Sequence, residues 1–192
     1  MARPDVREKL LTAGLEALHK RGFNATGVQD ITDAAKVPKG SFYNHFESKD
    51  ALGVEVVERW GTFMDARLKV LVEGTSKPLA RLKAYFKGLN ELASASKFQR
   101  GCLMGNFSAE LSTQSPAIRT ALEAGFERWT KGVAHVIGEA QKAGDVSRDV
   151  SAEALAGFLI NAWEGAVLRA RVDKSSDALD AFVSITFNKI LT

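Results

Sequence analysis

Between Lys39 and Lys49 the chain sets out a group of side chains suited to the surface of a nucleic acid. Lys39 can meet a phosphate or a guanine edge, Ser41 and Asn44 offer hydrogen bonds to bases, and Tyr43, His45 and Lys49 can reach backbone oxygens. Gly40 has no side chain and permits close approach. Phe42 and Phe46, four residues apart on the opposite side, would anchor the segment on a core formed with Leu18, Phe23 and Ile31. The same polar residues could also decorate a solvated helix, and spacing alone leaves both readings open.

The second reactive group is Cys102, the single cysteine of the chain. A thiolate beside a cation such as Arg100, or at a helix N-terminus, is abundant at neutral pH and nucleophilic. A lone cysteine can equally fill a gap in a core and stay inert. One cysteine excludes an intrachain disulfide or a multi-cysteine zinc site, and His19, His45 and His135 have no metal-ligand spacing, so no metal or cofactor is expected. No Gly-rich phosphate loop, serine nucleophile elbow or general base at a recognisable distance accompanies Cys102. The chain is therefore not expected to be an enzyme. A thiol-dependent enzyme using Cys102 and a helical interaction module without DNA binding are the alternatives.

These groups must be held by helices. Many windows repeat apolar residues at three and four, none alternates for long, and the four prolines precede helix-like patterns, so an all-α fold of about nine helices is expected. Residues 4–21 carry Val6, Leu10, Ala13, Ala17 and Leu18 on one face and stop at Lys20-Arg21-Gly22. Thr26 with Gln29 reads as a capping box for a short helix over about 27–35. Val37-Pro38-Lys39-Gly40 breaks the pattern, and residues 41–46 allow about two turns. Two short helices around a tight turn are the arrangement that lays a recognition helix in a major groove.

Ser48 should cap a long fourth helix ending near Gly74, spanning roughly 39 Å and able to carry a signal between domains. Further helices are expected at about 78–97, 102–112, 116–143, 152–172 and 177–191. The domain expectation is 1–60 for DNA and 61–192 for effector binding and dimerisation. The net charge of +3 over 192 residues permits an acidic partner without requiring one. No segment approaches the ~18 apolar residues of a membrane helix, and the start MARPDVREKLL lacks a signal-peptide run, so a cytoplasmic protein without membrane contact is expected.

The run GFNATGVQDITDAAKVPKGSFYNHFESKDAL resembles the signature of the tetracycline-repressor (TetR) family. In that signature a Gly-Phe turn, a Thr before the second helix, a Lys-Gly-Ser start and a Tyr-x-His-Phe-x-x-Lys run recur together. The resemblance covers about the first 60 residues and implies a homodimeric regulator, expected to be a repressor, on double-stranded operator DNA. It implies phosphate contacts by Thr26, Tyr43, His45 and Lys49. The full DNA-facing set expected is Thr26, Gln29, Lys39, Gly40, Ser41, Tyr43, Asn44, His45 and Lys49. Pro38 departs from the family pattern, which often has Ser there, and this removes one phosphate contact.

The family implies dimerisation through the last two long helices. Ala156, Leu159, Ala162, Trp163, Ala166 and Ala170, then Leu179, Phe182, Val183, Thr186, Phe187 and Ile190, form stripes that would make a four-helix interface or face the subunit's own core. RGCLMGNFSAELS, with FERW, resembles the subgroup containing the N-ethylmaleimide-responsive and acrylate-responsive repressors. That likeness implies a sensor pair of Cys102 and Lys174, with an unknown small-molecule effector. Phe63, Phe107, Phe126, Trp129 and Trp163 could line the effector cavity or be ordinary core.

Overall fold

The computed structural model describes residues 5–192. Its elements are α1 (Val6–Arg21), α2 (Val28–Ala35), α3 (Gly40–Tyr43), α4 (Lys49–Glu73), α5 (Pro78–Ala95), α6 (Leu103–Leu111), α7 (Pro116–Ala143), α8 (Ala152–Asp173) and α9 (Asp177–Ile185). A π-helical turn, Thr186–Ile190, follows α9. The expected all-α class is what the structure shows, with no strand among the described residues. Pro4, expected to open the first helix, lies outside those residues.

The helix boundaries follow local chemistry. Ser48 accepts the Ala51 N–H at 3.0 Å and Ser151 accepts that of Ala154 at 3.2 Å, as their positions before apolar periodic runs predict. Gly144, at φ 82°, closes α7 in a conformation that a side chain would strain. Thr26 does not cap α2. Its hydroxyl donates to Gly22 O at 2.8 Å, and Asp30 instead accepts the Gly27 N–H at 2.7 Å. The helix therefore starts one residue later than a Thr26 cap would place it.

The packing forms two units. The first holds the chain up to Thr62 together with Cys102–Gly125, and the second holds Phe63–Gly101 with Phe126–Thr192. In the first, Leu10, Leu18, Phe23, Ile31, Phe42, Phe46, Leu52 and Phe107 form the core. At ~1.5–3 kcal/mol for each fully buried large side chain, this core outweighs any surface ion pair of the unit. A Cβ at Gly14 would lie 2.8 Å from Leu52 Cδ2, so glycine lets α1 approach α4 closely. Arg7 bonds Glu55 at 2.6 Å and Arg59 bonds Glu8 at 2.7 Å, fastening the same two helices at the surface.

In the second unit, Arg81 of α5 is buried and donates Nη1 to Leu71 O at 3.0 Å and Val72 O at 2.9 Å. It thereby satisfies carbonyls that the end of α4 leaves without helical partners. Its Nη2 pairs with Glu139 of α7. Asn90 accepts the Trp163 indole N–H at 2.8 Å and donates to Leu179 O at 3.3 Å, tying α5 to α8 and α9. No helix among the described residues is long and apolar enough to cross a membrane.

Candidate nucleic-acid interface

The turn between α2 and α3 is set by Lys36, which adopts the left-handed region at φ 55°. Val37 N–H then returns to Thr32 O at 3.0 Å, closing the helix end in the manner usually given to glycine. Pro38 begins the next turn, where Ser41 N–H bonds Pro38 O at 2.9 Å. The α-helix itself is a single turn, Gly40–Tyr43, shorter than the two turns expected. Beyond it His45 N–H bonds Phe42 O at 3.0 Å, a tighter 3-10-type turn, and Phe46 N–H bonds the same oxygen at 2.9 Å, immediately before Ser48 starts α4.

The two faces of this segment are chemically distinct. Phe42 and Phe46 are buried, with ring centroids 5.6 Å apart, while Tyr43 is 58% exposed and Lys39, Gly40 and Asn44 are exposed beside it. Ser41 and His45 are half-buried at the edge of the same surface. A Cβ at Gly40 would meet nothing within 4 Å, so this stretch of backbone is open to an approaching ligand. Gln29, exposed on α2, donates to Asp33 at 2.7 Å.

Two residues of the expected DNA-facing set are placed differently. Thr26 is fully buried with its hydroxyl committed to Gly22, so it does not present that hydroxyl at the surface. Lys49 donates Nζ to Phe23 O at 3.0 Å and Thr26 O at 3.1 Å, and its ammonium sits 4.3 Å from the centroid of the Phe23 ring. Both residues hold the turn between α1 and α2. Their spacing to the polar residues of α3 is visible in sequence, but the carbonyls they bond are not.

The same turn is held from a third side by groups that the sequence did not single out for this purpose. Glu110 of α6 accepts the Asn24 N–H at 2.9 Å, and Phe107, one helical turn earlier, meets Phe23 edge-on at 5.7 Å. Phe107 was a candidate for an effector cavity; it is fully buried core of the first unit. The i, i+3 spacing of Phe107 and Glu110 puts both on one face of α6, and that was the available signal.

Cys102 occupies the N-cap of α6, extended at φ −88° and ψ 128°, and is 6% exposed. Gly101 precedes it at φ 68°. Lys174 ends α8 in the left-handed region at φ 53° and donates Nζ to Phe98 O at 3.2 Å. Cys102 packs with the first unit and Lys174 with the second. Three of the aromatic candidates do gather in the second unit. Phe126 stacks on Trp129 at 6.2 Å, and Trp129 meets Trp163 edge-on at 5.6 Å. Trp129 Nε1 is buried without a hydrogen-bond acceptor among the described residues.

Residues 10–56 match the bacterial regulatory proteins of the tetR family, and residues 78–186, more than half of the chain, match the tetracyclin repressor-like C-terminal domain. The chain belongs to the TetR family. It is 41% identical over 192 residues, all of this chain and 95% of the relative, to the HTH-type transcriptional repressor DhaR of Mycobacterium sp. strain GP1. It is 32% identical to the HTH-type transcriptional repressor NemR of Escherichia coli K12, over 98% of this chain and 95% of NemR. Among solved structures, a regulatory protein TetR from Rhodobacter sphaeroides superposes with a TM-score of 0.89 at 36% identity, covering 96% of this chain and 98% of that one.

TetR-family regulators bind operator DNA and act as dimers, and the relatives are named as transcriptional repressors, not enzymes. In this TetR-family chain the stripes expected to face a partner lie largely inside the subunit. Ala156, Leu159, Trp163 and Ala170 of α8, and Leu179, Phe182, Val183 and Thr186 at the C-terminal end, are buried in the chain's own core. A second stripe is exposed instead. Phe158 is 52%, Leu168 63% and Val172 74% exposed on α8, with Asn161 and Gly165 between them, and Ile185 is exposed on α9. The alternating spacing of three and four puts all five α8 positions on one side of the helix.

Proposed function

We propose that this chain is a homodimeric transcriptional repressor of the cytoplasm that sets its two α3 segments into successive major grooves of an operator, about 34–36 Å apart. The observation that carries the reading is the division of α3 into an anchoring side, Phe42 and Phe46, and an open polar side, Lys39, Gly40, Tyr43 and Asn44. Lys39, Ser41 and Asn44 address bases, while Tyr43, His45 and Gln29 address the backbone. Thr26 and Lys49 act by holding the turn on which α2 rests. The names of the relatives, repressors of the TetR type, support the direction of control.

Residues 1–60 are the DNA-binding domain in this reading, and 61–192 bind effector and dimerise. Phe158, Leu168, Val172 and Ile185 are the dimer contacts: an exposed apolar stripe on two adjacent helices suits an isologous four-helix interface. Effector binding, or modification of Cys102, favours a dimer whose spacing no longer fits the operator. The aromatic group of Phe126, Trp129 and Trp163 serves the noncovalent effector, and the buried Trp129 N–H suits an acceptor on it.

For the covalent route the sequence of events is short. The Cys102 thiolate adds to the alkene carbon of an electrophile, a C–S bond replaces the C=C π bond, and solvent protonates the adjacent carbon. The added bulk at the head of α6 overpacks a buried site. Phe107 and Glu110 of the same helix then pull on the turn that Lys49 and Thr26 hold, which is a shorter path than α4. Lys174 buttresses the loop before Cys102 through Phe98 O.

The test is operator binding by fluorescence anisotropy on a duplex selected from random DNA, before and after N-ethylmaleimide, with Cys102→Ser as control. Release in the wild type and not in Cys102→Ser is the expected result. Binding that ignores the reagent removes the covalent route and leaves the noncovalent one; failure to select any duplex removes the repressor reading.

A further inference from the structure

Glycine inside a helix is disfavoured relative to alanine, so its presence there calls for a reason. At several helical glycines of this chain the reason lies within the subunit. A Cβ at Gly14 would lie 2.8 Å from Leu52, at Gly53 2.9 Å from Ile118, at Gly125 2.8 Å from Met104 and at Gly132 2.6 Å from Leu68. Each of these glycines lets a neighbouring side chain press on a helix backbone. Gly165, well inside α8, has no such neighbour: a Cβ there would meet nothing within 4 Å among the described residues.

Its surroundings are those of a contact surface. Gly165 is exposed, and three exposed large apolar side chains share its side of the helix: Phe158 before it, Leu168 and Val172 after it. At ~100° per residue all four fall within an arc of ~80°. Phe158 and Val172 each stand seven residues away, about 10 Å along the axis to either side, so Gly165 is the midpoint of the stripe. Gly157 also has room for a Cβ, but it is half-buried and falls just outside that arc.

We infer that Gly165 is the point at which α8 crosses the α8 of a second copy, backbone against backbone, and that it confines pairing to chains with no side chain at this position. The inference rests on the reading of the exposed α8 stripe as the dimer contact. Symmetry names the occupant: a helix that packs on its own copy about a two-fold axis meets it residue on same residue at the crossing, and the midpoint of the stripe is where that falls. Glycine on both sides lets the axes come nearer than the ~8–10 Å usual for packed helices, which draws the flanking Phe158, Leu168 and Val172 of both copies into contact. A larger residue there in either chain holds the axes apart and leaves those side chains in water. Regulators of one family share an architecture, and the crossing residue is a place where a copy can be told from a relative.

Disulfide trapping in the full-length chain, with Cys102→Ser as background, tests the crossing point. Linked dimer is expected to form fastest at Gly165→Cys, where the two Cα atoms come within the ~4.4–6.8 Å that a disulfide spans, and more slowly at Phe158→Cys and Val172→Cys. Gly165→Ala, a better helix former, is expected to raise the dimer Kd in sedimentation equilibrium by about tenfold or more while circular dichroism shows the helices kept. Tagged wild type mixed with Gly165→Leu is expected to yield no mixed dimers. A rate maximum at another position, a Gly165→Ala dimer as tight as wild type, or free exchange with Gly165→Leu overturns the inference. If Leu168→Glu with Val172→Glu leaves the dimer intact, the interface reading fails and the inference with it. If that double variant is monomeric while Gly165→Cys links no faster than Phe158→Cys, the crossing point alone fails.

Discussion

Glu110 Oε2 accepts the backbone N–H of Asn24 at 2.9 Å, so a carboxylate near the end of α6 fixes the turn that separates α1 from α2. Gly22 in that turn sits at φ 89°, and a Cβ there would lie 2.6 Å from Glu110 Oε1. Glycine at position 22 therefore lets the Glu110 carboxylate lie directly against the turn.

Replacing Glu110 with alanine is expected to lower the unfolding free energy by about 0.5–1.5 kcal/mol, the ordinary worth of one such bond. It is also expected to blunt release of the operator by N-ethylmaleimide, because the link from Cys102 to the turn is cut. Urea denaturation and anisotropy on one preparation check both. A variant that releases DNA as wild type does removes α6 from the path.

Phe42 and Tyr43 are neighbours with opposite duties. Phe42→Ala empties a fully buried site and is expected to cost about 3–5 kcal/mol. Tyr43→Ala removes an exposed ring and should change stability by no more than about 0.5 kcal/mol, while weakening operator binding. Thermal unfolding paired with anisotropy separates them.

Lys49 offers a sharper discrimination, since its ammonium sits on Phe23 O and Thr26 O. A lysine neutralising a phosphate contributes about −0.9 to the slope of log affinity against log salt. Lys49→Met is expected to lower the melting temperature and weaken binding to all sequences while leaving that slope unchanged. A slope smaller by about 0.9 would return Lys49 to the phosphate-contacting set.

Acid should loosen the DNA-binding unit. The hydrogen bond from Arg59 holds the Glu8 carboxyl below its usual value of 4.5, and the Gly27 N–H holds that of Asp30 below 3.8. Carboxyls whose folded values are lowered stabilise the native state fully above their unfolded values, and that contribution is lost as the pH falls through the folded ones. Stability measured by urea should therefore fall below about pH 4.5, and Glu8→Gln with Asp30→Ala should flatten that limb.

Leu168→Glu with Val172→Glu places charges on the exposed stripe of α8 and is expected to yield monomers in sedimentation, with operator affinity lost alongside. A dimer that persists would place the interface elsewhere.

Much of the fold was legible because punctuation and periodicity agree. Ser48, Ser151, Pro78, Pro116 and Gly144 all stand at helix ends, where their backbone preferences put them. What was misread depended on packing. Thr26-x-x-Gln29 satisfies a capping pattern, yet burial draws the Thr26 hydroxyl back to Gly22. Helix α8 is apolar on both sides, so the stripe through Leu159 and Trp163 and that through Phe158 and Leu168 have equal claim in sequence. Only the neighbours of α8 tell them apart. The polar side of α3 is readable because Phe42 and Phe46 fix which way the helix turns, whereas spacing leaves Phe107 open between cavity lining and core, and its edge-on contact with Phe23 places it in the core.

The most direct measurement compares affinity for the selected operator with affinity for a scrambled duplex of equal composition, for wild type and for Lys39→Met with Asn44→Ala. Wild type is expected to prefer the operator by about a thousandfold or more, and the variant to lose about 1–3 kcal/mol of discrimination per contact while keeping its affinity for scrambled DNA. A wild type without preference, or a variant that retains it in full, would contradict the assignment of α3 as the reading element.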